Sequence, residues 1–316
     1  MSGQLITIFG GSGFIGRHLV ERLGARGYQI RIAVRDTESA LPLMTQGNVG
    51  QIVGFQTNIR NQESVERAVA GADIVINLVG ILFEKGAQTF EAVHVEAAAR
   101  IAAAARKAGV KQLVHMSALG VAPDHAAAYA RSKAAGEERV TYEFPGASII
   151  RPAVVFGNDD QFFNRFAGIF ALAPVFPLAG GGKSRMQPVW VEDVSDAIVR
   201  IIETPEAQGK TYELAGPDVL SFKELMEKVL EFTRRRTLLL PVPYGLMSAF
   251  AALMSFVPGR PPLTPDQVTL LKHDNVASGD LPGLADLGIH ASSIDAIVPD
   301  YLRRFQRGGG VQVAHP

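Results

Sequence analysis

The sequence predicts an α/β protein, a doubly wound parallel sheet with a smaller C-terminal lobe, on three observations. The opening run LITIFGGSGFIG, residues 5–16, carries a β-branched apolar segment straight into Gly10, Gly13 and Gly16, spaced by three. Over the first half of the chain, short apolar runs alternate with stretches of helical length, the pattern of parallel strands joined by crossover helices. The chain also has 316 residues, 47% of them hydrophobic, enough to bury a large core in one sheet domain plus a smaller lobe.

The elements follow in order. The run before the glycines fits a strand buried on both faces. The glycines then let the backbone turn tightly, approach a pyrophosphate and pack the following helix, Phe14–Ala25, whose N-terminus faces the phosphate charge. A turn that uses glycine for steric reasons alone is the competing reading, and the flanking strand and amphipathic helix outweigh it. Gly10, Gly13, Phe14, Ile15 and Gly16 are therefore candidate dinucleotide-binding positions, and the sheet is of Rossmann type. The next strand, Gln29–Val34, ends in Arg35, ~20 residues past the glycines, where folds that prefer NAD present an acid to the ribose hydroxyls. An arginine there attracts a 2′-phosphate, and Arg17 on the first turn of the helix serves the same anion, so NADP(H) is expected over NAD(H). Two solvated surface arginines remain the alternative, kept open by Asp36 beside Arg35.

Further strands are expected at 51–55, 73–79, 112–116 and 147–151, with helices at 63–70, at 90–108 closed by Gly109, and at 126–144. Right-handed crossovers place the strands' carboxyl ends on the nucleotide side. From Pro152 the texture changes: proline, glycine and phenylalanine are dense over 156–188, with a turn at Gly180, Gly181 and Gly182, and read as a long insertion or lid. A helix at 190–204, a strand at Thr211–Leu214 and a helix at 221–233 follow, the last with Ser221 and Glu224 as a capping box. The expected organisation is a nucleotide-binding domain at 1–155, a lid and smaller lobe at 156–306 interleaved with the sheet edge, and a disordered glycine-rich tail at 307–316. Phe162, Phe163, Phe166 and Phe170 stand at helical spacing, either as core or as the apolar lining of a quinone or isoprenoid pocket.

Composition narrows the function. With 31 basic and 31 acidic residues the formal net charge is zero, which argues against nucleic acid as a partner. The absence of cysteine excludes disulfides, thiolate metal sites and a cysteine nucleophile; zinc-type histidine spacing is missing too, so no metal site is expected. Met1 lies a few residues before the first strand, leaving no room for a signal peptide, and no transmembrane helix is expected. The predicted location is the cytoplasmic side, peripheral to a bacterial inner membrane.

Tyr129 and Lys133, four apart in YARSK, share one helix face, and Ser117 ends the preceding strand in HMSALG. An ammonium beside a phenol stabilises the phenolate and lowers its pKa, the serine hydroxyl orients a carbonyl, and the lysine holds ribose hydroxyls, so the set suits proton transfer beside hydride transfer. A packed tyrosine with a solvated lysine is the plainer reading of such spacing, and the order of glycine turn, serine, tyrosine and lysine argues against it.

With these motifs the chain resembles the short-chain dehydrogenase/reductase superfamily, in its extended or atypical branch. The carriers are GGSGFIG at 10–16, INLVG at 76–80, Ser117 and YARSK at 129–133. More narrowly, the stretches at 151–157 and 176–194 are similar to the family of NADPH-binding accessory subunits of respiratory complex I and its bacterial relatives, which also resemble a protein of ubiquinone biosynthesis. The resemblance implies a tightly held NADP(H), with Arg17 and Arg35 near its 2′-phosphate and further contacts at Asn58, Ile59, Leu78, Val79, Gly80 and Lys133. It also implies partners among complex I subunits or quinone-biosynthesis proteins. Two positions depart from the extended pattern: His94 stands where asparagine is common, and Asn58 where aspartate is often found beside the adenine. His94 then reads either as part of an altered proton relay or as a satisfied core histidine.

The segment 234–258 begins with Arg234, Arg235 and Arg236 and continues as an apolar stretch interrupted by prolines. A membrane-surface helix inserting Leu246, Phe250, Leu253 and Met254 is one reading. Burial against protein is favoured by its near-uniform apolarity. Two functions compete: an NADP(H)-holding accessory protein of complex I or quinone metabolism with slow or absent turnover, and a freestanding NADP-dependent reductase, epimerase or dehydratase of a small or nucleotide-linked substrate.

Overall fold

A computed structural model describes residues 3–254 and 263–308. The end of the 234–258 segment and most of the expected disordered tail, from 309 onward, lie outside the described residues.

Seven strands form one parallel sheet: β1 (Leu5–Phe9), β2 (Gln29–Val34), β3 (Ile52–Gln56), β4 (Ile74–Asn77), β5 (Gln112–Met116), β6 (Ser148–Pro152) and the strand Thr211–Leu214. Their spatial order is Thr211–Leu214, β6, β5, β4, β1, β2, β3. The chain winds outward from β1 to β3, then returns to lay β4 on the other flank of β1. That reversal opens a crevice at the strands' carboxyl ends, where such sheets bind ligands. β1 shows why periodicity of two is absent: Ile6, Thr7, Ile8 and Phe9 are all buried because helices cover both faces. Thr7 meets its polar obligation by donating its hydroxyl to the Ala68 carbonyl, 2.9 Å away.

The helices α1 (Phe14–Ala25), α2 (Leu41–Met44), α3 (Gln62–Val69), α4 (Ala97–Lys107) and α5 (Ala128–Glu143) cross between the strands. α3 starts where Asn61 caps it by accepting from the Ser64 N–H. The expected long helix at 90–108 is divided: Glu91–Glu96 is a π-helical turn that runs into α4. Buried alanines at 97, 98, 99, 102, 104 and 105 keep α4 thin on its inner side, so it packs closely with Val75, Leu113 and Ile149 of the sheet.

By compactness the chain forms two units. The first comprises residues up to Pro152 with Val191–Leu214 and Ser278–His290; the second comprises Ala153–Trp190, Ala215–Ala277 and the chain from Ala291 onward. In the first, the helix Val191–Glu203 lies along α1, with the Arg22 guanidinium bridging Glu192 at 2.9 Å and Asp196 at 2.8 Å. In the second, the helix Phe163–Leu172 supplies Phe163, Phe166 and Phe170 to an aromatic cluster with Phe156, Phe162, Phe176 and Phe222. Edge-to-face packing dominates there, with Phe162 and Phe163 centroids 5.1 Å apart at 88°. The four phenylalanines therefore build core. Ser221 and Glu224 form the capping box of the helix Phe222–Thr233. Gly180, Gly181 and Gly182 all take positive φ, and a Cβ on Gly180 would sit 2.2 Å from the Tyr244 ring, so glycine is needed for that turn.

Candidate nucleotide site

The glycine turn occupies the crevice at the reversal point. Gly10 takes φ +80°, and a Cβ there would lie 3.3 Å from the backbone of Leu78 and Val79. The Leu78 N–H donates to the Phe9 carbonyl at 2.9 Å, so the ends of β1 and β4 are drawn together. A Cβ on Gly16 would sit 2.5 Å from the Gly10 carbonyl oxygen and 2.6 Å from Gly11, so a side chain would push α1 off the turn. Gly13 caps α1 without a side-chain hydrogen bond, and no acid stands in the first turn. The N–H groups of Phe14, Ile15 and Gly16 thus head a helix whose geometry offers them no carbonyl, a cradle suited to pyrophosphate.

Arg17 is exposed on the first turn of α1, and Arg35 is exposed directly after β2, the strand beside β1. Asp36, the possible neutraliser of Arg35, accepts instead from the Glu38 N–H at 3.0 Å and caps the turn Thr37–Ala40. Ser39 donates its hydroxyl to the Asp36 carbonyl, and its oxygen lies 3.2 Å from that of Ser12 in the glycine turn. The contact between Ser12 and Ser39 was not legible in the sequence, because only the folded chain brings their hydroxyls together. Asn58, exposed after β3, spends its side-chain oxygen on the Arg60 N–H at 3.1 Å, while Ile59 packs half-buried against the core.

The second half of the crevice gathers around Lys133. Its ammonium is buried and donates to the Met116 carbonyl at 3.0 Å. Burial lowers its pKa to about 8, with Glu137 opposing the shift. Glu137 is itself held by Arg151, Nε to Oε1 at 2.9 Å and a terminal nitrogen to Oε2 at 2.6 Å. The position a Cβ would take on Gly80 is 3.1 Å from Lys133 Nζ and 3.8 Å from His94 Nε2, so the glycine of INLVG makes room for both. Ser117 is anchored by its N–H to the Ile150 carbonyl at 2.7 Å, and its buried hydroxyl has no hydrogen-bond partner among the described residues. An orphaned hydroxyl next in sequence to the residue that holds the buried ammonium, together with the glycine cradle, fits a bound dinucleotide and the carbonyl group of a substrate.

Tyr129 departs from expectation. Burial pushes its phenol up to about 12, the direction opposite to activation by a neighbouring ammonium. His94 explains part of the surroundings. The Ile81 N–H donates to its Nε2 at 3.0 Å, so Nδ1 carries the proton and donates to Ser132 Oγ at 2.9 Å; Ser132 donates in turn to the Tyr129 carbonyl at 2.8 Å. The ring stacks on Phe90 and meets Tyr129 edge-on, with centroids 5.3 Å and 5.5 Å away. Burial and the Lys133 charge lower its pKa to about 3, so it is a neutral, fully engaged strut between the loop after β4 and α5. Asn77 donates to Nδ1 of the buried His115 at 3.1 Å, and Nε2 of that ring has no partner among the described residues.

A parallel sheet reversing at β1 and β4, a three-glycine turn opening a helix, and serine, tyrosine and lysine on the next elements define an NAD(P)-binding protein of the dehydrogenase/reductase class. Residues 6–215 match the NAD dependent epimerase/dehydratase family, and the chain belongs to it. The chain is 36% identical over 307 residues to NADH dehydrogenase [ubiquinone] 1 alpha subcomplex subunit 9, mitochondrial, of Rattus norvegicus, covering 96% of this chain and 81% of that one. The Arabidopsis thaliana protein of the same name is 32% identical over 320 residues, covering 98% and 80%. Among solved structures, the NADPH-dependent quinone oxidoreductase QOR2 of Escherichia coli, complexed with NADPH, superimposes with TM-score 0.74 at 19% identity over 94% of this chain and 99% of that one, which confirms the fold.

Proposed function

We propose that the protein holds NADP(H) as an accessory component of a respiratory NADH:quinone oxidoreductase or of quinone metabolism, peripheral to the cytoplasmic face of a membrane. The observation that carries this reading is the similarity, over nearly the whole chain, to the alpha subcomplex subunit 9 proteins. The chemistry of the crevice supports a nucleotide that stabilises more than it reacts. Burial keeps the Tyr129 phenol protonated at neutral pH rather than ionised beside the ammonium, and Lys133 is tied to the Met116 carbonyl. The glycine turn and the head of α1 would take the pyrophosphate, Arg17 and Arg35 the 2′-phosphate, and Lys133 the nicotinamide ribose. When bound, the nucleotide supplies a hydride donor.

A freestanding reductase, epimerase or dehydratase is the second reading, favoured by the buried Ser117 hydroxyl, which has no hydrogen-bond partner among the described residues and follows directly on Met116, whose carbonyl Lys133 engages. Gentle purification of the native protein from membranes and cytosol separates the two. NADPH retained in an assembly with respiratory-chain subunits is expected; a soluble species that exchanges NADP(H) freely and consumes it with a carbonyl substrate overturns the accessory reading.

A further inference from the structure

The second unit carries an apolar surface that its own core leaves uncovered. In the helix Tyr244–Met254, Met247 and Ala251 turn inward to pack with Ala179 and Val268. Leu246, Phe250 and Leu253, spaced i, i+4 and i+7, form a separate face and are 65%, 49% and 64% exposed. The preceding strand, Leu238–Val242, does the same with period two: Leu239 packs against the aromatic core while Leu238 and Leu240 point to solvent. Leu238 pairs with Val175 and Leu240 with Pro177 in parallel register, and all four are exposed, so that side of the two-stranded sheet is aliphatic on both strands.

Charge singles out the occupant. No acidic residue stands anywhere in 161–191 or 232–265, in a chain that has 31 of them. Arg234 and Arg236 are exposed immediately before the strand, while Arg235 between them donates to the Phe305 carbonyl at 2.9 Å. A protein partner's surface mixes hydrogen-bonding groups among its apolar anchors. Here Ser248 is the one hydroxyl after Tyr244 in the helix, and it is half-buried. Aliphatic side chains flanked by cations, with no anion near in sequence, match a lipid surface of negative charge.

We propose that Leu238, Leu240, Leu246, Phe250 and Leu253, with Arg234 and Arg236, dock on anionic phospholipid, the apolar side chains entering the acyl boundary and the arginines meeting headgroup phosphates. This deepens, and rests on, the reading of the protein as membrane-peripheral. The test is cosedimentation of the full chain with vesicles of phosphatidylcholine alone and of phosphatidylcholine mixed with phosphatidylglycerol, with NADPH affinity measured on every variant.

The mixed vesicles are expected to bind at least ~tenfold more strongly, and less so as salt rises. Leu246→Gln/Phe250→Gln/Leu253→Gln is expected to lose ~tenfold or more on both, and Arg234→Gln/Arg236→Gln ~tenfold on the anionic vesicles alone. Unchanged NADPH affinity in these variants shows that the nucleotide-binding unit is intact, and failure of NADPH binding in the parent chain defeats the nucleotide reading separately from the lipid one. Wild-type protein that ignores anionic vesicles, or a triple variant that binds them equally, overturns the proposal. So does a dimer of this chain, or a complex with respiratory subunits in detergent, that the triple variant dissolves.

Discussion

In the proposed reading Arg17 and Arg35 would set the preference between nucleotides, because a 2′-phosphate is the one group that distinguishes NADPH from NADH. One oxygen of the Asp36 carboxylate caps the turn that follows. Changing both arginines to alanine is expected to weaken NADPH by ~tenfold or more, while NADH changes by less than ~threefold, read by calorimetric titration. Equal losses for the two nucleotides remove these residues from the phosphate. At Tyr129 the expectation is different. Tyr129→Phe leaves nucleotide affinity intact and abolishes any hydride transfer the protein performs, followed as NADPH absorbance; unchanged turnover excludes the phenol as proton donor. The expected pairing of Lys133 with Tyr129 came from their spacing in sequence, but the bond of Lys133 to the Met116 carbonyl was not readable, because β5 and α5 are joined only in the folded chain.

Helix α5 crosses the π-helical turn Glu91–Glu96 at a point where a Cβ on Gly136 would lie 2.2 Å from the His94 carbonyl oxygen. Gly136→Ala is therefore expected to separate the two elements and cost about 2–4 kcal/mol, measured by urea unfolding. Stability that does not change would mean the crossing is looser than described. Two buried histidines, His94 at this crossing and His115 on β5, make a pH dependence. His94 and His115 are held neutral, each with a folded pKa of about 3 against 6.5 ordinarily. The unfolded chain binds protons that the folded chain refuses, so the stability they contribute is complete above their unfolded pKa and drains away as pH falls through that window. Each adds about 1.4 kcal/mol per pH unit to the slope. His94→Asn is expected to flatten acid unfolding by that amount, and a slope identical to wild type rules out a neutral His94. Neither feature was legible beforehand: the run 90–108 has one continuous helical pattern, and nothing in it marks where the π-turn falls or that its histidine reaches both Ile81 and Ser132.

The whole molecule shows what local sequence carries and what it does not. α1 and β2 were legible to the residue, and β1 as the apolar run leading into the glycines, because continuous apolar runs, glycine turns and amphipathic periodicity are properties of neighbouring residues. The segment 153–190 was harder, since its phenylalanines have the same spacing whether they line a pocket or, as found, interlock with Phe222 from far along the chain. The helix Tyr244–Met254 divides the two readings of its segment, with Met247 and Ala251 buried and Leu246, Phe250 and Leu253 exposed. Among the described residues, no helix is long and apolar enough to cross a membrane. A nucleotide that chiefly stabilises the fold has a global signature: at a hundredfold excess over its dissociation constant, NADPH is expected to add about 2.7 kcal/mol to unfolding, seen as a rise in melting temperature. The most direct test of the account is a calorimetric titration of the purified protein with NADPH and NADH side by side. Tight NADPH binding, at least ~tenfold stronger than NADH, is the expected result. Equal affinity for both, or affinity for neither, contradicts it.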